Sequence, residues 1–255
     1  MIIVKDSVAL EKMKRAGRVL AALFPSIESM IRPGVSTAEL DQWIEQELKK
    51  RSLVSQSKGY MGYKHSSCIS INDEVVHGVP SSRRIFKEGD LVTVDICAAL
   101  NGYCADMARS FILEPVDGSV KAFVDTAYYA LKKGIEQARP GKRLSDISAA
   151  IQRAVERHGY GIVRDFAGHG IGKTMHEDPE ILNYGKPGKG PFLGPGMTFA
   201  IEPMITMGDD DIYIADDGWT VKTVDKKFAA HVEDTVAITE QGPIILTRDV
   251  QEGGQ

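Results

Sequence analysis

The sequence predicts a pseudo-symmetric α/β domain, and three observations predict it. Helix-spaced apolar patterns come in pairs, each pair followed by strand-like apolar runs. Arg32-Pro33-Gly34 recurs at Arg139-Pro140-Gly141, 107 positions further on. At that same offset Gly89 matches Gly196, and Asp95 matches Glu202. Asn101-Gly102, between alternating runs, is a two-residue hairpin signal. Each half therefore reads as two helices and then a β-hairpin bearing an acid at the matching place. The period is far longer than that of solenoid repeats, so one domain is expected over residues 1–255, with halves at about 1–115 and 116–250.

Asp6 or Ser7 can cap a first helix carried by Leu10, Met13, Leu20, Leu23 and Ile27. Pro25 removes a backbone donor, so a kink or break is expected there. Ser36-x-x-Glu39 reads as the capping box of a second helix, carried by Leu40, Ile44 and Leu48. A Ser- and Gly-rich loop holding Tyr60 and Tyr63 leads to a strand at Cys68-Ile-Ser-Ile71. Then come His77-Gly-Val-Pro80 and the strand Leu91–Ile96. With Asn101-Gly102 as the turn, Leu100 faces Tyr103 and Cys97 faces Asp106. Asp95 is then a diagonal neighbour of Asp106 on one face, about 7–8 Å away between Cα atoms. Two acids on one face amid Val, Ile, Ala and Met are costly unless a cation compensates them.

In the second half Ser119 is the expected cap of a helix from Val120 to about Ala138, and another begins at Ser145. The second hairpin carries Glu202 in Thr198-Phe-Ala-Ile-Glu202, and its tip holds Gly208-Asp-Asp-Asp211 and Asp216-Asp-Gly-Trp219. Its return strand is expected over Ala229–Ile238, which puts His231 and Glu233 on one face. Gly253-Gly254 ends a tail expected to fray. Within the second half, ahead of its hairpin, lies Phe166-Ala-Gly-His-Gly-Ile-Gly-Lys-Thr-Met-His-Glu-Asp-Pro179, where glycines on both sides of His169 let the backbone bend and be approached closely.

Composition removes several function classes. Charged residues make up 26% and hydrophobic residues 43%, an ordinary globular balance, and the net charge of −4 argues against nucleic acid as principal partner. Three cysteines without CxxC spacing fit reduced thiols and a cytoplasmic setting, not a disulfide framework. No apolar run reaches the length of a membrane span, and the first residues do not read as a signal peptide.

Asp95, Asp106, Glu202, Glu233 and His169 form an oxygen-rich, mildly nitrogenous set that suits Mn(II), Fe(II), Co(II) or Zn(II). Taken singly, each acid reads better as a capped or salt-bridged structural residue. As a set, two of them at matching points of a repeat, they favour metal. Four carboxylates exceed what one divalent ion balances. Two ions sharing carboxylates, roughly 3.5–4 Å apart, fit better and could activate a water between them. His77 and His176 are open from spacing alone, as core residues or as groups that hold a substrate. Gly168-x-Gly-x-Gly172 lacks the strand–helix context of a dinucleotide fingerprint, and no zincin HExxH or nucleophile elbow is present.

These motifs resemble type I methionine aminopeptidases of the pita-bread metallopeptidase superfamily. The carriers run through most of the chain: Ser70-Ile-Asn-Asp-Glu-Val-Val-His77-Gly-Val-Pro80, Val94-Asp95, Gly102-Tyr-x-x-Asp106, Gly168-His169-Gly-Ile-Gly172, His176-Glu-Asp-Pro179, Met197-Thr-Phe-Ala-Ile-Glu202-Pro-Met204 and Glu233-x-Thr235. The resemblance implies an antiparallel sheet with helices on its outer face, and two divalent metal ions held by Asp95, Asp106, His169, Glu202 and Glu233, with Asp106 and Glu233 bridging. It implies that His77 contacts the scissile peptide, that His176 stabilises the tetrahedral intermediate, and that Glu202 doubles as general acid/base. Tyr60, Tyr63, Cys68 and Trp219 match positions lining the methionine pocket.

The implied activity is removal of the initiator methionine from nascent chains whose second residue is small. By that rule Ile2 would leave Met1 in place. The expected partners are nascent N-termini, with the ribosome surface as a further contact, no membrane, no nucleic-acid specificity, and a monomeric chain. Cys104-Ala105, Ala167 and Met175 depart from the family's usual residues without removing a ligand. An Xaa-Pro aminopeptidase of the same fold is the neighbouring alternative. No extra N-terminal domain speaks for it, and no long second-half insertion speaks for a type II enzyme. A non-catalytic peptide- or ribosome-binding scaffold of this fold would be expected to have lost ligands.

Overall fold

The structure is a computed structural model that describes residues 1–248. The Gly253-Gly254 tail lies outside the described residues. Helix α1 (Ser7–Ala21) is capped by Asp6, whose Oδ1 accepts from the Ala9 N–H at 2.7 Å. The expected break is real: α2 (Phe24–Met30) starts afresh with Pro25 in its first turn, where a missing N–H costs nothing. Helix α3 (Thr37–Lys50) has the Ser36/Glu39 capping box, the Ser36 N–H donating to Glu39 Oε2 at 2.8 Å.

Two expected helix starts are corrected. Helix α4 (Gly118–Gln137) is capped by Asp117, not Ser119; the Asp117 carboxylate accepts from the Ser119 N–H at 2.8 Å, a bond Ser119 cannot make to itself. Helix α5 (Leu144–Glu156) begins one residue earlier than Ser145, with Asp146 accepting from the Arg143 N–H at 2.8 Å. The Ser145 hydroxyl instead accepts from the Lys189 N–H at 2.7 Å.

The 107-residue offset extends to backbone hydrogen bonds. Phe86 N–H donates to Val35 O and Leu193 N–H to Lys142 O; Gly34 N–H donates to Phe86 O and Gly141 N–H to Leu193 O. The isolated bridge Ser36–Ile85 has its counterpart in Arg143–Phe192. Gly89 and Gly196, which precede the two acid-bearing strands, have φ of 88° and 86°, a left-handed conformation that glycine adopts without steric cost.

The sheet that positions the site is nine-stranded and its pairings are antiparallel. Leu91–Leu100 pairs with Tyr103–Ile112 across the Asn101-Gly102 turn, with Leu100 opposite Tyr103 and Cys97 opposite Asp106 as expected. Tyr103–Ile112 then pairs with Glu233–Thr239, which pairs with Thr198–Ile201, so the two hairpins meet through their return strands. Gly168–Gly170 joins the far side of Thr198–Ile201.

Strand alternation divides the sheet into two faces. Val92, Val94, Ile96 and Ala98 pack with Leu20, Ile27, Leu40 and Ile44 of the first helices. Phe199, Ile201, Val236 and Ile238 pack with Phe123, Ala127, Ile147 and Ile151 of α4 and α5. The alternate residues, Asp95, Cys97, Asp106, Ala200, Glu233 and Thr235, are left on the opposite face. The second hairpin is less regular than the expected Ala229–Ile238 strand. It divides at Val232, and its partner divides at Glu202-Pro203, where Pro203 has no N–H for a ladder. Among the described residues no helix is long and apolar enough to cross a membrane.

Candidate metal centre

Two neighbouring rows across the sheet assemble the site. Cys68 pairs with Asp95, Asp95 with Ala108, and Ala108 with Glu233, which places Asp95 and Glu233 on one row with only an alanine between them. One row along, Cys97 pairs with Asp106, and the Thr235 hydroxyl ties Asp106 to the next strand. Thr235 pairs with Ala200, which pairs with His169. Glu202 follows the end of the Thr198–Ile201 strand, its backbone carbonyl accepting from Asn183 Nδ2 at 2.9 Å. The small Ala108 and Ala200 between the larger groups leave the room in which those groups converge.

The convergence is close. His169 Nε2 lies 3.8 Å from Asp106 Oδ2 and 3.5 Å from Glu202 Oε1. Among the described residues, Asp106, His169 and Glu233 form one group whose ligand atoms lie within 4.8 Å of one another, and Glu202, His231 and Glu233 form a second. Glu233 belongs to both. A carboxylate common to both groups is the kind of residue two neighbouring ions can share, while Asp95 belongs to neither group.

The electrostatics fit a cation. Burial and then the Asp106 charge raise Asp95 well above the usual carboxylate range. Burial and then Glu202 push Asp106 up to about 7. Burial raises Glu202, and burial with the Asp106, Glu202 and Asp95 charges raises Glu233. Such mutual repulsion is what a divalent ion relieves. His169, by contrast, is pushed down to about 4, by burial first, so its imidazole is neutral and able to ligate. Its Nδ1 lies 2.9 Å from the Gly170 carbonyl. That bond fixes the proton on Nδ1 and leaves the Nε2 lone pair facing the carboxylates, as ligating imidazoles require. Glu233 Oε1 is buried without a hydrogen-bond partner, a further opening for a cation. The residues present therefore fit divalent metal.

All eleven residues marked out in the sequence line one cavity of about 230 Å³. His77 has φ of 59°, a left-handed backbone uncommon for a residue with a side chain, and its ring meets the edge of Phe166 with centroids 5.5 Å apart. Burial, then the charges of His231 and His176, pushes it down to about 4. His176 stands edge-on to His169, centroids 4.4 Å apart, and its Nδ1 lies 3.1 Å from the Tyr60 hydroxyl. Burial lowers His176 as well. With its hydrogen on Nε2 the neutral ring accepts from the Tyr60 hydroxyl at Nδ1; with its hydrogen on Nδ1 it donates to the Tyr60 oxygen.

On the other side, Tyr63 packs against Trp219 with ring centroids 5.0 Å apart, and its hydroxyl donates to the Ser67 carbonyl at 3.0 Å. Cys68, Phe166, Met175 and Met204 complete an apolar and aromatic slot beside the carboxylates. Cys68 is buried, and burial followed by the Asp95 charge raises its thiol well above the ordinary range. Sequence reasoning left out His231, 2% exposed, whose Nε2 lies 3.3 Å from Glu202 Oε2. The signal was its alternation with Glu233.

Metallopeptidase family M24 matches residues 11–240. A methionine aminopeptidase of Clostridium acetobutylicum is 47% identical over 247 residues, covering 97% of this chain and 99% of that protein. The crystal structure of methionine aminopeptidase from Thermotoga maritima superposes with a TM-score of 0.96 at 42% identity, covering 98% and 100% of the two chains. The prolidase of Pyrococcus furiosus has a TM-score of 0.77 at 25% identity, and the match covers 96% of this chain but 65% of that one.

Proposed function

We propose a function from the premise that this chain belongs to metallopeptidase family M24 and shares the pita-bread fold of its methionine aminopeptidases. It is a metal-dependent aminopeptidase that releases N-terminal methionine from chains whose second residue is small. The carrying observation is the single cavity in which five ligand-type residues adjoin a slot of Tyr63, Cys68, Met175 and Trp219. An apolar and aromatic slot suits an unbranched apolar side chain, and thioethers sit well against aromatic edges and sulfur.

Asp95, Asp106, His169, Glu202 and Glu233 would hold two divalent ions. When bound, such ions supply Lewis acidity toward the scissile carbonyl and acidify the attacking water. Glu202, whose carboxylate lines the cavity, takes a proton from the attacking water and returns it to the departing amine. His176 directs Nε2–H at the carbonyl oxygen, where negative charge develops, and a Tyr60 hydroxyl donating to Nδ1 supports the tautomer that makes this donation possible. His77, held in place by its backbone conformation and by Phe166, meets the scissile amide. The slot fixes the side chain, so the amide arrives in register with these groups.

The reading includes nascent N-termini as substrates, a cytoplasmic location, a monomeric chain and contact with the ribosome surface. An Xaa-Pro aminopeptidase is less well supported, because the prolidase likeness is weaker in both identity and coverage. Release of free methionine from a Met-Ala-Ser peptide tests the reading. Chelator-treated protein is compared with protein given back Mn(II), Fe(II) or Co(II). Metal-dependent release that disappears with a large second residue is expected. Cleavage only where proline stands second would replace this reading with the Xaa-Pro one.

A further inference from the structure

Glu202 stands between two imidazoles that differ in what they can do. Its Oε1 lies 3.5 Å from His169 Nε2 and its Oε2 lies 3.3 Å from His231 Nε2. His231 is 2% exposed, and neither of its ring nitrogens has a hydrogen-bond partner of full geometry. A buried imidazole must carry a proton on one nitrogen, and an unmet N–H in a dry interior is costly. The carboxylates facing Nε2 are Glu202 at 3.3 Å and Glu233 Oε2 at 3.9 Å. Nδ1 faces no acceptor among the described residues.

From this contrast, and resting on the metallopeptidase reading above, we infer that His231 is a positioning residue. It holds the Glu202 carboxylate by donating Nε2–H to Oε2, and it is not itself a metal ligand. Ligating imidazoles donate their second ring N–H to a partner, as His169 does to the Gly170 carbonyl. His231 has no such partner for Nδ1, so ligation through Nε2 would strand a buried N–H. The donor tautomer strands only a lone pair, the smaller cost.

The backbone is built to aim this ring. His231 pairs with Met204, two residues beyond Glu202 on the facing strand, so its side chain reaches back toward that carboxylate. The His231 carbonyl accepts from the Ser110 hydroxyl at 3.0 Å, and Ser110 is hydrogen-bonded to Thr93 at 2.7 Å. The His231 backbone is thus tied to the first hairpin while its ring faces an acid of the second. Held at Oε2, Glu202 presents Oε1 toward His169 and the ligand cluster in one orientation. A carboxylate that must both ligate and move a proton depends on that orientation.

The test compares wild type with His231→Ala and His231→Gln. Glutamine is the informative variant, because its amide N–H can donate to the same oxygen and its volume is close. The three proteins are matched by thermal melting, then titrated with Mn(II) by calorimetry, assayed for kcat and KM on Met-Ala-Ser, and examined as Co(II) forms by visible absorption. His231→Ala should bind Mn(II) about 10–100-fold more weakly, as loss of such a supporting partner does. Its kcat should fall while KM for the peptide stays near the wild-type value. His231→Gln should recover both quantities and leave the Co(II) bands where the wild type has them. Wild-type affinity and kcat in His231→Ala would overturn the inference. So would His231→Gln as impaired as His231→Ala, or with displaced Co(II) bands, which would make His231 a ligand. If wild type released no methionine, the functional reading would fail, and the Mn(II) titrations would still decide the role of His231.

Discussion

The Tyr60 hydroxyl and Nδ1 of His176 are 3.1 Å apart, although 116 residues separate them. The contact joins the loop before the first hairpin to the segment after His169, and so links the two halves across the mouth of the cavity. When the His176 hydrogen sits on Nε2, the Tyr60 hydroxyl donates to Nδ1, and the contact then supports the form that can donate from Nε2. Tyr60→Phe removes that support. One hydrogen bond is worth about 1 kcal/mol, so kcat should fall by roughly five-fold. Metal content, measured by mass spectrometry of the purified protein, should not change. Lost metal would show that Tyr60 supports the ligands and not the tautomer.

Asp106→Ala and Glu202→Ala attack the cluster itself. Each removes a carboxylate from a group in which the remaining acids are already raised by burial and mutual repulsion. Turnover should disappear in both variants, with Mn(II) affinity reduced in calorimetric titration. Adding excess metal should not restore either. Full activity in either variant would remove that residue from the metal assignment.

How much of this was legible in the sequence depends on the range of the signal. The first hairpin was readable because Asn101-Gly102 fixes its register, and register alone puts Asp95 and Asp106 on one face. The Ser36/Glu39 box was readable because it is local. Asp117 was missed as a cap because Ser119 has the same chemistry two residues on, and only backbone geometry separates them. His231 was seen to alternate with Glu233, yet its approach to Glu202 depends on a strand pairing that no local pattern encodes. The convergence of His77 and His176 with the carboxylates is tertiary, and spacing left it open; resemblance of motifs supplied it.

Thr235 offers a test of how the sheet holds Asp106. Its hydroxyl accepts from the Asp106 N–H and donates to the Asp106 carbonyl, both at 2.8 Å, and the residue is fully buried. Thr235→Val keeps the shape and removes both bonds, leaving two buried backbone groups unmet. The expected loss is about 1–3 kcal/mol. Urea unfolding of the metal-free protein would measure it. A loss under about 0.5 kcal/mol would mean that the strands pair well enough without the hydroxyl.

Gly168 tests the glycine that precedes His169. A Cβ at this position would lie 2.4 Å from the Ala200 carbonyl oxygen, a backbone atom that cannot swing aside, and 3.3 Å from the Glu202 side chain. Gly168→Ala must therefore move the Gly168–Gly170 strand away from Thr198–Ile201, the pairing that carries His169 to the cluster. Overpacking of this kind costs about 1–3 kcal/mol in stability. The consequence at the site should be larger, because ligand geometry tolerates less displacement than packing does: Mn(II) affinity should fall and kcat with it. A lowered melting temperature with unchanged Mn(II) affinity would show that His169 reaches the cluster independently of this strand pairing.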